Sequence, residues 1–112
     1  GFFQPVDNPP TVNSAKAGAA IPVKFSLTGN QGLSILAAGY PASQMVTCDN
    51  RVPVDTIETT VTAGSSSLSY DASSDQYIYV WKTEKAWANT CRTLTVKLID
   101  GMIYQANFRF KK

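Results

Sequence analysis

The sequence contains no histidine. That removes Ser-His-Asp and Cys-His catalysis together with the commonest zinc ligand. Cysteine is limited to two residues, Cys48 and Cys91, which do not stand in a Cys-x-x-Cys spacing and are too few for a structural zinc site. Charge is sparse, with 10 Lys and Arg against 8 Asp and Glu for a net +2. Tracking a phosphate backbone needs clustered cations, and here they are scattered apart from Lys111-Lys112 at the terminus, so no nucleic-acid partner is expected. No apolar run reaches the length of a membrane helix, so membrane insertion is not expected either. The sequence does not open on a charged n-region followed by an apolar h-region, which suggests a mature or excised segment whose export signal lies elsewhere. Gly29 and Gly32 lack the downstream Lys-Ser/Thr and helix of a phosphate loop. No cofactor and no metal are expected.

The 112 residues suffice for one domain with one core. The strongest structural statement runs from Gln76 to Phe110. Tyr77, Tyr79 and Trp81 share one face of a run whose other face carries Ile78 and Val80, so both sides need cover and the strand should be central. After the loop EKAWANT, Leu94, Val96 and Leu98 alternate with Thr93, Thr95 and Lys97. Asp100-Gly101 then predicts a two-residue type I′ hairpin turn into a strand carrying Ala106, Phe108 and Phe110. Upstream, Ile21, Val23, Phe25 and Leu27 alternate with Pro22, Lys24 and Ser26. Leu33–Tyr40 reads as either strand or helical turn, and Val52–Val61, interrupted by Pro53, as an edge or bulged strand. Residues 63–67, AGSSS, read as a flexible loop.

These segments predict an all-β, immunoglobulin-like sandwich of about seven antiparallel strands with one disulfide. Residues 1–14 read as a proline-rich linker and edge segment, and 15–112 as the single sandwich module. Phe2 and Phe3 break the polar linker pattern, suiting them to pack on this domain or on a neighbour. If Cys48 and Cys91 pair, the large loop they close contributes about 4 kcal/mol on the chain-entropy model and points to an extracellular compartment. Two buried free thiols are the alternative reading.

The acidic residues Asp49, Asp71, Asp75 and Asp100 sit at or beside turns, where backbone reasons favour Asp over any catalytic pairing. The Asp71–Asp75 turn could hold a calcium ion with the help of backbone carbonyls, but its ligand count is poor and a solvated turn is the favoured reading. An internal Lys24–Asn107 isopeptide bond is not expected, because the alternation turns both residues outward. Aromatics in loops are the ligand-binding candidates, since a π-face suits the apolar face of a sugar. They are Trp87, Tyr40 and Tyr104, with Trp87 also read as a cap on the core beside Cys91.

The tetrad Pro22-Val23-Lys24-Phe25 inside KAGAAIPVKFSL, followed by GNQGLSILAAGYP, resembles the bacterial PxKF domain. The later YDASSDQYIYVWKTEKAWANTCRTLTVKLIDG is similar to that family's second half, and the resemblance spans the chain from about Val6 onward. It implies a small immunoglobulin-like module appended to a secreted or surface protein, and carries no catalytic residues. The expectation is therefore a monomeric, non-catalytic accessory module that spaces, stabilises or docks a neighbouring domain. The alternative is a carbohydrate-binding module that holds a secreted enzyme near polysaccharide.

Overall fold

The computed structural model describes residues 1–62 and 68–112. Among the described residues, ten strands form two five-stranded sheets that pack as a sandwich. In chain order they are β1 (Phe2–Phe3), β2 (Val12–Lys16), β3 (Ala20–Phe25), β4 (Ala42–Val46), β5 (Glu58–Thr59), β6 (Val61–Thr62), β7 (Ser69–Asp71), β8 (Gln76–Lys82), β9 (Cys91–Lys97) and β10 (Ile103–Lys111). The first sheet runs β1-β3-β8, with β6 and β7 sharing the far edge of β8. The second runs β2-β10-β9-β4-β5. Expected loop 63–67 lies outside the described residues.

Alternation decides which side chains meet between the sheets. Ile21, Val23 and Phe25 of β3 and Tyr77, Tyr79 and Trp81 of β8 face Leu94 and Val96 of β9 and Ala106, Phe108 and Phe110 of β10. Phe25 stacks on Tyr77 at 5.6 Å, and Trp81 presents itself edge-on to Phe108 and Phe110 at 5.2 and 5.9 Å. As expected for a central strand, β8 keeps Ile78 and Val80 half-buried on its outer side. Each fully buried Val or Phe of this layer contributes about 1.5–3 kcal/mol before conformational entropy is subtracted.

The segment expected as linker and edge is woven into both sheets. Phe2 is buried and pairs with Phe25 in the first sheet; Val6 is buried, and Asn8 binds back to the Phe2 backbone through both halves of its amide. Past Pro9-Pro10 the chain reaches the second sheet, where β2 lies parallel to β10, Val12 opposite Asn107 through Lys16 opposite Lys111. The expectation of about seven strands, all antiparallel, is thus corrected on both counts. β1, β5 and β6 are only two residues long, and the parallel pair arises because the chain changes sheets before β2.

Between β5 and β6 the chain changes sheet at a single residue, Thr60. Its backbone N–H and hydroxyl donate to the Pro41 carbonyl at 2.9 and 2.8 Å, and its hydroxyl also meets the Tyr79 hydroxyl at 2.6 Å. Leu33–Tyr40 is neither helix nor full strand: Leu36 bridges Leu98, and Ile99 and Ala37 bond across to Ile35 and Lys97. The Asp-Gly turn also differs from expectation. Leu98 and Met102 close a three-residue loop, Ile99–Gly101, in which Gly101 alone has positive φ (91°). The Asp100 carboxylate accepts from the Met102 N–H at 2.9 Å and favours this geometry over the I′ turn.

Cys48 and Cys91 form the disulfide, with Cα atoms 5.2 Å apart. Cys91 is buried and Cys48 is at the surface. Because β4 and β9 are neighbours, the bond staples adjacent strands of one sheet and does not cross between sheets.

Candidate functional site

Polar anchors beneath the loop between β3 and β4 shape one end of the sandwich. The Asp75 carboxylate accepts from the Gly29 N–H (3.0 Å), the Tyr70 hydroxyl (2.7 Å) and the Ser26 hydroxyl (3.3 Å). The Tyr77 hydroxyl accepts from the Gln31 N–H and donates to the Gly32 carbonyl, both at 2.7 Å. Donation to Asp75 pushes the Tyr70 hydroxyl pKa up. These bonds fix residues 26–32 as one wall, and the Leu98–Met102 turn forms the other.

Between the walls lies an open groove of about 450 Å³. Leu27, Ile35, Leu98 and Tyr104 supply its apolar lining, and Ser26, Thr28, Gln31 and Asp100 its polar lining. Ile99, Met102, Ile103 and Leu33 are all at least half exposed, at 70%, 51%, 54% and 57%, on the elements that form this end.

The three candidate aromatics occupy three places. Tyr104 is half-buried in the groove and packs against Phe2 and Phe25 at 6.1 and 6.2 Å. Tyr40 is half-buried on the approach to β4, with the Lys97 ammonium 5.8 Å from its ring centre. Trp87 closes a short 3-10 turn, Lys85–Trp87, between β8 and β9, at the opposite end from the groove. Its ring packs against Trp81 and Phe110 at 5.8 and 5.6 Å, and the Arg92 guanidinium covers one face at 4.0 Å. No single surface presents all three.

Arg92 is the residue sequence reasoning missed. It is 1% exposed, yet it faces inward on β9. Its Nε donates to the Ser43 hydroxyl (3.0 Å), its Nη2 pairs with the Glu58 carboxylate (2.8 Å), and its planar group stacks on Trp87. The signal was present: Arg92 shares the parity of Leu94, Val96 and Leu98, so the alternation that buries them buries it.

In the PxKF-like tetrad, Val23 and Phe25 are fully buried, while Pro22 and Lys24 are half-buried on the outer side of β3. Lys24 and Asn107 lie in different sheets, so they do not meet. Asn107 stands on the outer side of β10, as the alternation expects, but is covered there at 8% exposed, and its backbone carbonyl accepts from the Asn13 side chain at 3.0 Å. Asp71 is capped by the Ser73 and Ser74 hydroxyls, which hold its carboxyl below the usual range; Asp49 is held low by backbone N–H donors, first that of Asn50. Among the described residues, no group of three or more Cys, Asp or Glu side chains is placed to hold a metal ion, and no helix is long and apolar enough to cross a membrane. No protein-family model matches the chain, and none of the curated proteins compared with it matches.

Proposed function

We propose that the chain is a non-catalytic accessory module of a secreted or surface protein, of the kind the PxKF resemblance implies, and that it docks a neighbouring domain through its groove end. The observation that carries this reading is the pair of exposed side chains Ile99 and Met102 on the lip of a groove whose facing wall, residues 26–32, is fixed by Asp75 and Tyr77. A preformed apolar surface costs little ordering entropy on association. A disulfide stapling adjacent strands suits an oxidising extracellular setting.

The test is calorimetry of the natural polypeptide in which the module sits beside its neighbour, wild type against Ile99→Asp/Met102→Asp. Both side chains are exposed, so the isolated module should keep its midpoint, while the neighbouring domain's transition should fall or separate from the module's. Superimposable traces from the two polypeptides would refute docking at this end. Turnover of a glycoside or ester panel by the isolated chain, abolished by a surface substitution, would refute the non-catalytic assignment.

The carbohydrate-binding alternative draws support from one feature, the half-buried Tyr104 in a groove of small-ligand size with Ser26, Thr28, Gln31 and Asp100 around it. It predicts that Tyr104→Ala weakens retention on an insoluble neutral glycan without loss of fold.

A further inference from the structure

The outer face of the second sheet carries a feature that the docking role leaves unused. Gln44 of β4 stands in register with Thr93 of β9, and Thr93 with Asn107 of β10. Three polar, uncharged side chains thus form a row across three neighbouring strands, about 10 Å long at the usual inter-strand spacing. Gln105 extends the patch along β10. Together they line a shallow groove of about 370 Å³, with Pro9, Pro53 and Val46 supplying its apolar parts.

Internal hydrogen bonds orient the row without saturating it. The Thr93 hydroxyl donates to Asn107 Oδ1 (3.2 Å), Gln44 Nε2 to the Asp55 carbonyl (2.8 Å), and Gln105 Nε2 to the Thr95 hydroxyl (3.2 Å). Among the described residues this leaves the Asn107 side-chain N–H groups and the side-chain carbonyls of Gln44 and Gln105 without a protein partner. Donors and acceptors side by side suit hydroxyls, each of which both gives and takes a hydrogen bond.

One charge lines this groove, Arg51. It sits on a tight loop closed by the Thr47 N–H to the Val52 carbonyl (2.9 Å) and the Arg51 N–H to the Thr47 carbonyl (3.0 Å). The disulfide ties the same loop to the start of β9, so the arginine's base is pinned to the sheet it overhangs. Its backbone takes a left-handed φ of 54°, a conformation that side-chain-bearing residues adopt at a cost of about 1–2 kcal/mol. Among the described residues no carboxylate lies within 4.0 Å of its guanidinium.

From this we propose a binding site for an acidic saccharide of the uronate class on the outer face of β4, β9 and β10. Arg51 takes the carboxylate through its planar fork, and Gln44, Thr93, Gln105 and Asn107 take the ring hydroxyls. The planar fork matches a carboxylate bidentately, and a single cation falls short of the cluster that a polyphosphate needs. The site is separate from the groove-end surface and does not depend on docking there.

The experiment is a titration of the full chain, followed by amide NMR shifts, with trigalacturonate, its fully methyl-esterified form, and a sulfated neutral galactoside. Trigalacturonate should shift residues 44, 51, 93, 105 and 107, and the neutral ester should not. Arg51→Gln keeps the Cβ and the backbone bonds, so its melting midpoint should stay unchanged while the affinity falls about tenfold or more. Gln105→Ala should weaken binding less, and Tyr104→Ala and Ile99→Asp/Met102→Asp should leave it intact. No shift with trigalacturonate up to about 10 mM, equal binding of the ester, response to the sulfated sugar only, or wild-type affinity in Arg51→Gln would each overturn the site.

Discussion

Replacing Arg92 by Ala and by Met separates two costs that are usually confounded. The guanidinium is buried, while its partner Glu58 is about half exposed, at 49%. Arg92→Ala empties the space between Ser43, Trp87 and the end of the core and uncovers a tryptophan face. By analogy with large-to-small core changes this costs about 3–4 kcal/mol. Arg92→Met keeps most of the stem volume and leaves Glu58 free to be solvated, so its cost should be about 1 kcal/mol or less. Glu58→Gln keeps a neutral acceptor, and the ion pair's worth is reduced by solvent on the glutamate side; about 1 kcal/mol is expected. Urea unfolding read by the fluorescence of Trp81 and Trp87, with the m value required to stay constant, gives all three numbers. At this chain length 1 kcal/mol also corresponds to about 4–6 °C in midpoint. If Arg92→Met costs as much as Arg92→Ala, volume is not what Arg92 supplies. If Glu58→Gln costs more than Arg92→Ala, the pair is not screened as its exposure implies.

Removing the disulfide by Cys48→Ala/Cys91→Ala should cost about 4 kcal/mol for the 43-residue separation, measured by urea titration against the oxidised parent; a loss under about 1 kcal/mol would contradict the chain-entropy account. Trp87→Ala should cost about 2–3 kcal/mol through lost contact with Trp81, Phe110 and Arg92, and should leave glycan retention where the wild type has it. Tyr77→Phe removes both bonds to the 31–32 backbone, so amide exchange at Gln31 should quicken with a loss of about 1–2 kcal/mol, whereas unchanged exchange would show that the wall is held otherwise. Asp71 has a folded pKa below its unfolded value, so its contribution is present above the unfolded pKa and is lost as pH falls through the folded one. Asp71→Asn should therefore flatten part of the acid-side decline between those two values, and an unaltered pH profile would rule the carboxylate out.

What the residues disclosed followed from strict period-two alternation. Ile21 to Phe25, Tyr77 to Trp81 and Leu94 to Phe110 name the core because a strand leaves each side chain only two directions. Loop geometry was less accessible. The Asp100-Gly101 pair signals a turn, yet whether that turn has two or three residues depends on the Asp100 carboxylate finding the Met102 N–H, and on Ile35 pairing with Ile99 from a distant loop. The parallel placement of β2 was hidden for a similar reason. Nothing local in Val12–Lys16 distinguishes a parallel from an antiparallel neighbour, and the choice is made by Phe2, Val6 and Asn8 anchoring the preceding segment in the other sheet. Arg92 has the parity of Leu94, but a charged side chain is seldom fully buried without a partner, and its partners Ser43 and Glu58 are distant in sequence. The Gln44-Thr93-Asn107 row could be found only once the register joined residues 63 positions apart.

The parallel pairing of β2 with β10 also decides how the fold bears a mechanical load. A pull on the N-terminal end of β2 against the C-terminal end of β10 runs along the strand axes, so the register from Val12–Asn107 to Lys16–Lys111 is loaded in shear and must fail together. An antiparallel neighbour in the same place would be peeled open one bond at a time. The module is then a stiff link along one axis, and stretching a tandem array should show abrupt, high-force rupture; gradual unravelling at the low force of a peeled hairpin would contradict this.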